Sequence, residues 1–445
     1  MHGETTKLSP APAEDTMSVS KVLGDGDLLG EILLRLGSPT WLVRAALVSR
    51  RWLRAASGEA FLRRFRALHP PLLLGFYVSG ESIPRPEFVP MPAPAPQPPE
   101  HATAVRRAAC FALDAFDEYW ASVLDCRNGR VLVDFSDSGR PTHWVLTPLR
   151  HAGHGMAAAV QPVLLPEPPC PPTRPEWPQE MFLPDDGGGG GGGASCYRVD
   201  VERAGRRVSA EVSVLRSGTW TVHAAAAAAL DGAPPSSGLN SIPTVTLNTA
   251  GQPVYTTPWD SLPARTVLAG GGKVYVVTPG FVLVLDAATG RLFPVELPGG
   301  AAYEYHGNLV PSRGDGGALC LLHVKGDRLS VWWLPMADGG DGGGGGWVLR
   351  DAVSLRETCG HLVGAAEQGL GVASVVGVGD DAAFAFLQFD GAGAVVFLDL
   401  GRRRAEKVYQ RFHGDDSAIY VHPFLMVWPP VFPVLIDDDD NGSSC

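Results

Sequence analysis

The segment VLAGGGKVYVVTPGFVLVLDAATGRLFPVELP, residues 267–298, constrains the fold more than any other stretch of this chain. It contains a strand with a tight turn, a strand ending in Asp, a second turn, and a strand ending near Leu-Pro. Looser copies follow the same plan: ASVLDCRNGRVLVDF, CYRVDVERAGRRVSAEVSVL, GALCLLHVKGDRLSVWWL and AFAFLQFDGAGAVVFLDLGRRRAEKVY. In DCRNGR from Asp125 and DAATGR from Asp286 the turn chemistry repeats. Asp opens the turn, Gly takes the left-handed position, and Arg starts the next strand. DLGRRR from Asp399 is a looser version. A several-stranded unit recurring every 40–60 residues or so, over about 330 residues, predicts a β-propeller of six or seven blades with degenerate repeats. A large sandwich or two smaller β domains are the alternatives.

Residues 23–69 have a different period. In DLLGEILLRL, Leu28, Leu29, Ile32, Leu33 and Leu36 fall on one face of a helix. Asp27 is placed to cap it and Glu31 to meet its dipole, while Gly37, Ser38 and Pro39 end it. TWLVRAALV forms a second helix capped by Thr40, RRWLRAA a third capped by Ser49, and EAFLRRFRAL a fourth. Across the third helix Val48, Trp52, Ala55 and Ala56 share a face, with Arg50, Arg51 and Arg54 opposite. The chain is therefore a multidomain α + β protein, with a small helical domain ahead of an all-β domain. The expected divisions are a disordered N-terminus at 1–22, the helical domain at 23–69, a Pro-rich connecting segment at 70–104, the propeller at 105–435 and an acidic disordered tail at 436–445.

Composition narrows the function. The 445 residues carry a formal net charge of −11, which excludes nucleic-acid binding by bulk electrostatics. The helical block is locally basic, with eight Arg against Asp27, Glu31 and Glu59, but no base-reading motif accompanies it. The seven cysteines are odd in number and never spaced CxxC, the pattern of reduced thiols rather than a disulfide framework or zinc module. No apolar run reaches the roughly 18 residues of a membrane span, and the first residues lack a basic start followed by an apolar core. The expected location is cytoplasmic and/or nuclear, away from membranes. The heptaglycine at 187–193, the glycines at 342–346 and the alanines at 224–229 have no periodic apolar face and are read as loop insertions.

The helical block LGDGDLLGEILLRLGSPTWLVRAALVSRRWLRAASGEAFLRRFR resembles an F-box, in the spacing from Ile32-Leu33 to Val48-Ser49-Arg50-Arg51-Trp52 and in its terminal Phe. It departs from that pattern at one point, where Gly24 follows Leu23 in place of the usual Pro. VLDCRNGRVLV and YVHPFLMVWPPVFP are similar to the β-rich associated domain behind F-boxes in plant proteins, especially those of grasses. The resemblance implies a substrate-recognition adaptor of a Skp–cullin–F-box ubiquitin ligase. It implies docking on a Skp-family adaptor, and through it a cullin, by Leu23, Leu28, Ile32, Leu33, Leu36, Val48 and Trp52. The β domain would recruit a protein target that no motif identifies. An F-box scaffold uncoupled from ubiquitination is the alternative, and a propeller-based enzyme a third.

Catalytic and metal constellations are not found in the sequence. His143, His151 and His154 cluster, but no Cys, Asp or Glu completes a ligand set at recognised spacing. The polyglycine is followed by no Lys-Ser/Thr, so it is not a phosphate loop. Ser217 in LRSGTW sits in a hairpin context, not a nucleophile elbow, and Cys196-Tyr197 lack paired histidines. The expectation is therefore no catalytic residue, no metal and no cofactor. The DDDD run at 437–440 reads as solvated tail, and Trp332-Trp333 as one ring in the core and one at a rim or groove.

Overall fold

The computed structural model describes residues 25–80, 83–91, 120–137, 140–149, 162–168, 180–184, 195–204, 207–229, 244–247, 253–256, 265–269, 272–278, 280–304, 307–335, 346–363, 371–390, 393–410, 419–427, 430 and 432. Both ends expected to be disordered, and the heptaglycine, lie outside the described residues. The chain divides into two compact units, residues 1–72 with 426–445, and residues 73–425.

The first unit is built on helices α1 (Gly26–Leu34), α2 (Pro39–Ala46), α3 (Arg50–Ser57) and α4 (Glu59–Leu68). Their starts follow capping chemistry, though not always at the expected residue. Asp25, rather than Asp27, caps α1, accepting from Asp27 N at 2.9 Å and Leu28 N at 3.3 Å. Ser38, rather than Thr40, caps α2, because Pro39 takes the first helical position, where its missing N–H costs nothing. Ser49 caps α3 as expected, its Oγ accepting from Trp52 N. Glu31 lies beyond the first turn and pairs instead with Arg64 of α4 at 2.6 Å. Both side chains are exposed, so the pair contributes at most about 1 kcal/mol. The core is Leu29, Leu33, Leu34, Leu42, Ala46, Leu53, Ala56 and Phe65, with Trp52 and Phe432 packed against it. Phe432 packs on this core, in the same compact unit as the helices.

The second unit is a six-bladed propeller. Blade 1 contains β1 (Leu73–Gly80) and β2 (Ile83–Pro90), both inside the segment expected to be linker. Blade 2 is β3 (Trp120–Arg127), β4 (Arg130–Asp137), β5 (Arg140–Leu146) and β6 (Val163–Leu164). Blade 3 is β7 (Glu180–Phe182), β8 (Cys196–Ala204), β9 (Arg207–Arg216) and β10 (Thr219–Ala229), and a separate hairpin of β11 (Thr244–Leu247) and β12 (Pro253–Thr256) follows. Blade 4 is β13 (Arg265–Ala269), β14 (Lys273–Val277), β15 (Phe281–Asp286) and β16 (Arg291–Glu296). Blade 5 is β17 (Leu309–Arg313), β18 (Leu319–Lys325), β19 (Arg328–Leu334) and β20 (Val348–Ser354), followed by the short helix α5 (Leu355–Cys359). Blade 6 is β21 (Ala373–Val378), β22 (Phe384–Phe389), β23 (Ala394–Asp399) and β24 (Arg404–Gln410). The last strand, β25 (Ile419–Leu425), then pairs antiparallel with β1 and completes blade 1. That pairing closes the ring and makes β1 and β2 part of it rather than linker.

The first strand of each blade lies innermost, and β25 takes this place in blade 1. Neighbouring inner strands meet at β25 with β3, β3 with β7, β13 with β17, β17 with β21 and β21 with β25. Apolar layers fill the spaces between blades. Val199, Val212, Val274 and Leu283 join blades 3 and 4. Cys320, Val331, Val375 and Leu387 join blades 5 and 6. Phe76, Val78, Val376 and Phe386 join blades 6 and 1. Every fully buried Leu, Val or Phe in these layers contributes roughly 1.5–3 kcal/mol. Both faces of a blade are covered, so strands such as LCLLHV are buried residue after residue instead of alternating.

Several local expectations change for the same reason. Ala224–Ala229, expected in a loop, belong to β10 and pair with β9, and Ala226 and Ala228 pack on the layer between blades 3 and 4. Trp332 and Trp333 both pack, on the layers at opposite faces of blade 5, so neither forms a groove. DCRNGR and DAATGR are not equivalent. In the latter, Asp286 Oδ1 accepts from Ala288 N and Thr289 N, and Gly290 is left-handed at φ 67°. In the former, Asn128 and Gly129 make the turn, while Asp125 accepts from Leu183 N at 2.8 Å. Asp125 therefore joins blade 2 to the chain that follows β7.

Candidate protein-docking site

The apolar stripe of α1 is split by the fold. Leu29 and Leu33 point into the helical core with 0 % exposure, while Leu28 and Ile32 stand outward at 45 % and 36 %. Residues i and i+4 share a face, so each pair forms its own ridge. Trp41, Leu47 and Val48 are exposed as well, at 46 %, 64 % and 67 %. Val48 precedes α3, its N–H bonded to Ala45 O, so it leaves the face it was expected to share with Trp52, Ala55 and Ala56. Trp52 and Leu36 are half-buried against the core. Leu33 therefore holds α1 in place from within, while Leu28, Ile32 and Val48 face outward. Leu23 lies outside the described residues. Arg50, Arg51 and Arg54 are exposed, and Arg44 stacks over Trp41 at 4.9 Å. Among the described residues, six of the thirteen exposed large apolar side chains lie in this small unit, Leu68 being the sixth.

A second constellation has no counterpart in the sequence analysis. Glu180 opens β7, Arg265 opens β13, Tyr303 precedes β17, and Tyr420 and His422 lie near the start of β25. They come from blades 3, 4, 5 and 1, and Arg265 interacts electrostatically with each of the others. Glu180 Oε2 accepts from Thr266 N at 3.2 Å, tying blade 3 to blade 4. Burial pushes the Glu180 carboxyl up to about 7, against the opposing pull of that hydrogen bond and of Arg265. Burial draws the Arg265 pKa down, while Tyr420, Glu180 and Tyr303 oppose it. His422 falls to about 4 because it is buried and faces Arg265. Each residue is unremarkable in its own strand, and only ring closure brings them together.

The sequence profile described as "F-box protein AT5G49610-like, beta-propeller" matches residues 122–432, more than half of the chain. The chain belongs to this family. No curated protein sequence matches it. Among solved structures, the Nup133 β-propeller domain of Vanderwaltozyma polyspora is 10 % identical with a TM-score of 0.32, over 68 % of each chain. A nidogen/laminin complex chain is 10 % identical with a TM-score of 0.34, over 78 % of this chain and 97 % of that one. Prolyl oligopeptidase B from Galerina marginata is 12 % identical with a TM-score of 0.33, over 91 % of this chain and 56 % of that one.

Within this F-box propeller family member, the residues considered for catalysis have structural places. Cys196 is buried, bonded through Sγ to Phe182 O, and burial raises its thiol to about 12. Cys126, Cys196, Cys320 and Cys359 are free thiols, all raised first by burial and so poor nucleophiles at neutral pH. Ser217 and Gly218 form the left-handed turn of the β9–β10 hairpin. His143 lies opposite Asp134 in the β4–β5 pair, and burial lowers the imidazole and raises the carboxyl. His151 and His154 lie outside the described residues. Among the described residues, no three His, Cys, Asp or Glu gather as metal ligands, and no helix is long and apolar enough to cross a membrane.

Proposed function

We propose that this protein is the substrate-recognition adaptor subunit of a Skp–cullin–F-box ubiquitin ligase. The helical unit is the F-box and docks on a Skp-family adaptor, through it reaching a cullin, and the propeller recruits a target protein. The observation carrying this reading is the outward pair Leu28 and Ile32 on α1, with Val48 exposed as well, on a unit that already has its own core. Leu36 and Trp52 pack against the core behind this surface and Leu33 sets the position of α1, while Leu23, outside the described residues, belongs to the same proposed contact set. Membership of an F-box propeller family supports the same role. The chain is a non-catalytic subunit: it acts by holding the target beside a charged ubiquitin-conjugating enzyme, raising the effective concentration of target lysines.

Co-expression with a Skp-family adaptor tests the docking step. The parent chain is expected to co-purify with the adaptor, and Ile32→Asp with Val48→Asp to weaken binding at least ~10-fold, since a buried unpaired charge replaces apolar contact. Both side chains are exposed in the free unit, so its helical circular dichroism should not change. No co-purification, or binding indifferent to the double substitution, would overturn the ligase reading. Adaptor binding without cullin-dependent ubiquitin transfer to any captured protein would favour the uncoupled scaffold.

A further inference from the structure

We infer that the outer edge of β10, in blade 3, is a docking strand for an extended polypeptide segment carrying an acidic side chain and, four residues later, a basic one. That the segment belongs to a ubiquitination target rests on the recruiting role proposed for the propeller, and the docking edge itself does not.

The last strand of each blade pairs on one side, so its other edge offers backbone N–H and C=O groups to another chain. Five of the six outer strands carry a device that discourages such pairing. β2 and β16 contain proline, β6 has two residues, and β20 and β24 place charged residues along the edge. β10 has none of these: its eleven residues, TWTVHAAAAAA, include no Pro, Asp, Glu, Lys or Arg. A bulge lies between Val222 and Ala224, after which Ala224–Ala229 run in unbroken register with Val212–Arg207 of β9. Among the described residues no strand pairs with the other edge of that run. Alternate residues of an antiparallel strand turn both backbone groups outward, and an added strand satisfies them.

The two faces of β10 identify the partner. Ala226 and Ala228 pack on the layer shared with blade 4, while Ala225, Ala227 and Ala229 are exposed. Blade 2 meets this second face at Trp220, whose indole N–H donates to Pro166 O at 2.9 Å, and its two-residue outer strand leaves the alanines uncovered. On β9, Glu211 lies opposite Ala225 and Arg207 opposite Ala229, with Ser209 between them. Strands in a sheet lie about 4.8 Å apart, so an incoming residue opposite Ala225 is about 10 Å from the Glu211 backbone. With one methyl group between them, a Lys or Arg at that place spans the gap to Glu211, and an Asp or Glu opposite Ala229 meets Arg207. Antiparallel addition, the pattern of every pair in this blade, puts the acidic residue first and the basic one four positions later. A second copy of this chain fits less well, because self-pairing of β10 sets alanine against alanine and gives Glu211 and Arg207 no counterpart across the new seam.

Three labelled peptides, titrated into the full-length chain and followed by fluorescence anisotropy, test the inference. They are Thr-Glu-Val-Thr-Val-Arg-Thr, the same peptide with Glu and Arg exchanged, and one with Gln at both places. The first is expected to bind with a Kd of about 100 μM, and ~5-fold or more tighter than the second at low salt. Ala227→Lys, which lays a charged chain across the exposed alanines, should abolish binding at an unchanged thermal midpoint. Arg207→Glu with Glu211→Arg should reverse the preference between the first two peptides, a result that a merely structural role of either residue does not produce. No binding, equal binding of all three peptides, or binding indifferent to Ala227→Lys would each overturn the inference. Self-association of the parent chain that Ala227→Lys abolishes, in place of peptide binding, would assign the edge to a second copy and overturn it likewise. Adaptor co-purification, measured on the same variants, reports the ligase reading independently.

Discussion

Tyr77 lies directly opposite His422 in the antiparallel pair of β1 and β25, so the first and last strands of the propeller hold each other. The same pairing aligns Val78 with Val421 and Phe76 with Pro423, and Tyr77 meets Phe424 edge-on at 5.7 Å. Closure thus joins two segments far apart in the chain.

Phe76 should show how much stability closure carries. It is fully buried, and its ring lies 4.7 Å from that of Phe386 in blade 6. Phe76→Ala is expected to cost about 3–5 kcal/mol, against less than about 0.5 kcal/mol for Leu47→Ala at an exposed site. Urea unfolding followed by tryptophan fluorescence compares the two. Equal losses would show that the β1–blade 6 contact is not structural.

Ser312 binds blade 5 to blade 6 through polar contacts. Its hydroxyl donates to Gly379 O at 2.6 Å and accepts from Ala382 N at 3.2 Å, all within a buried environment. Ser312→Ala leaves both backbone groups unsatisfied and should cost about 1–3 kcal/mol. Amide exchange at Ala382 should rise in parallel, because its N–H loses its acceptor.

Glu180 makes stability depend on pH. Its carboxyl titrates near 4.5 when unfolded and is raised to about 7 by burial when folded. Between those values the unfolded chain has released a proton that the folded chain keeps, so stability falls as pH rises through the window and is level above it. The full difference is roughly 3 kcal/mol at about 1.4 kcal/mol per pH unit. Glu180→Gln keeps an oxygen to accept from Thr266 N and removes the titration. It should leave the thermal midpoint unchanged at pH 4 and raise it at pH 8. His422, lowered to about 4, costs stability in the opposite direction as pH falls, equally in both proteins.

Gly30 lies inside α1, and a Cβ added there meets nothing within 4 Å. Gly30→Ala should therefore stabilise the helical unit by about 1 kcal/mol, through helix propensity and a less flexible unfolded chain. Thermal melting followed by circular dichroism measures this gain. A loss would mean that α1 or its packing does not accept the added methyl group.

The helices were legible in the sequence because their signals are local: a period of 3.6 residues, Ser and Asp caps, and a Gly-Ser-Pro break. Asp25 and Ser38 were missed as caps by two residues each, since several oxygen-bearing side chains compete near a helix start and backbone geometry selects among them. The strands were equally legible, but the blade architecture was not. LCLLHV is buried on both faces, and a continuous apolar run fits a sandwich, a barrel or a blade alike. β2 was hidden by its prolines, which an outer strand tolerates at its edge, and β1 by lying just after Pro70 and Pro71 in the same proline-rich stretch.

The groups that interact electrostatically with Arg265 left no trace in the sequence, because Glu180, Tyr303 and His422 share no motif or spacing with it. Trp332 and Trp333 carried the opposite lesson. Alternation correctly sent them to opposite faces, but only the neighbouring blades determined that both faces are interior.

What this chain's sequence determined alone was everything that acts over a few residues: helix and strand identity, turn chemistry, and two regions of different texture. The tertiary structure decided which half of the α1 stripe is inside, Leu29 and Leu33, and which half is left for a partner, Leu28 and Ile32. It also decided that β25 returns to β1. Those outcomes depend on contacts between segments far apart in the chain. Their energy comes from surface buried at closure, which no local pattern of residues records.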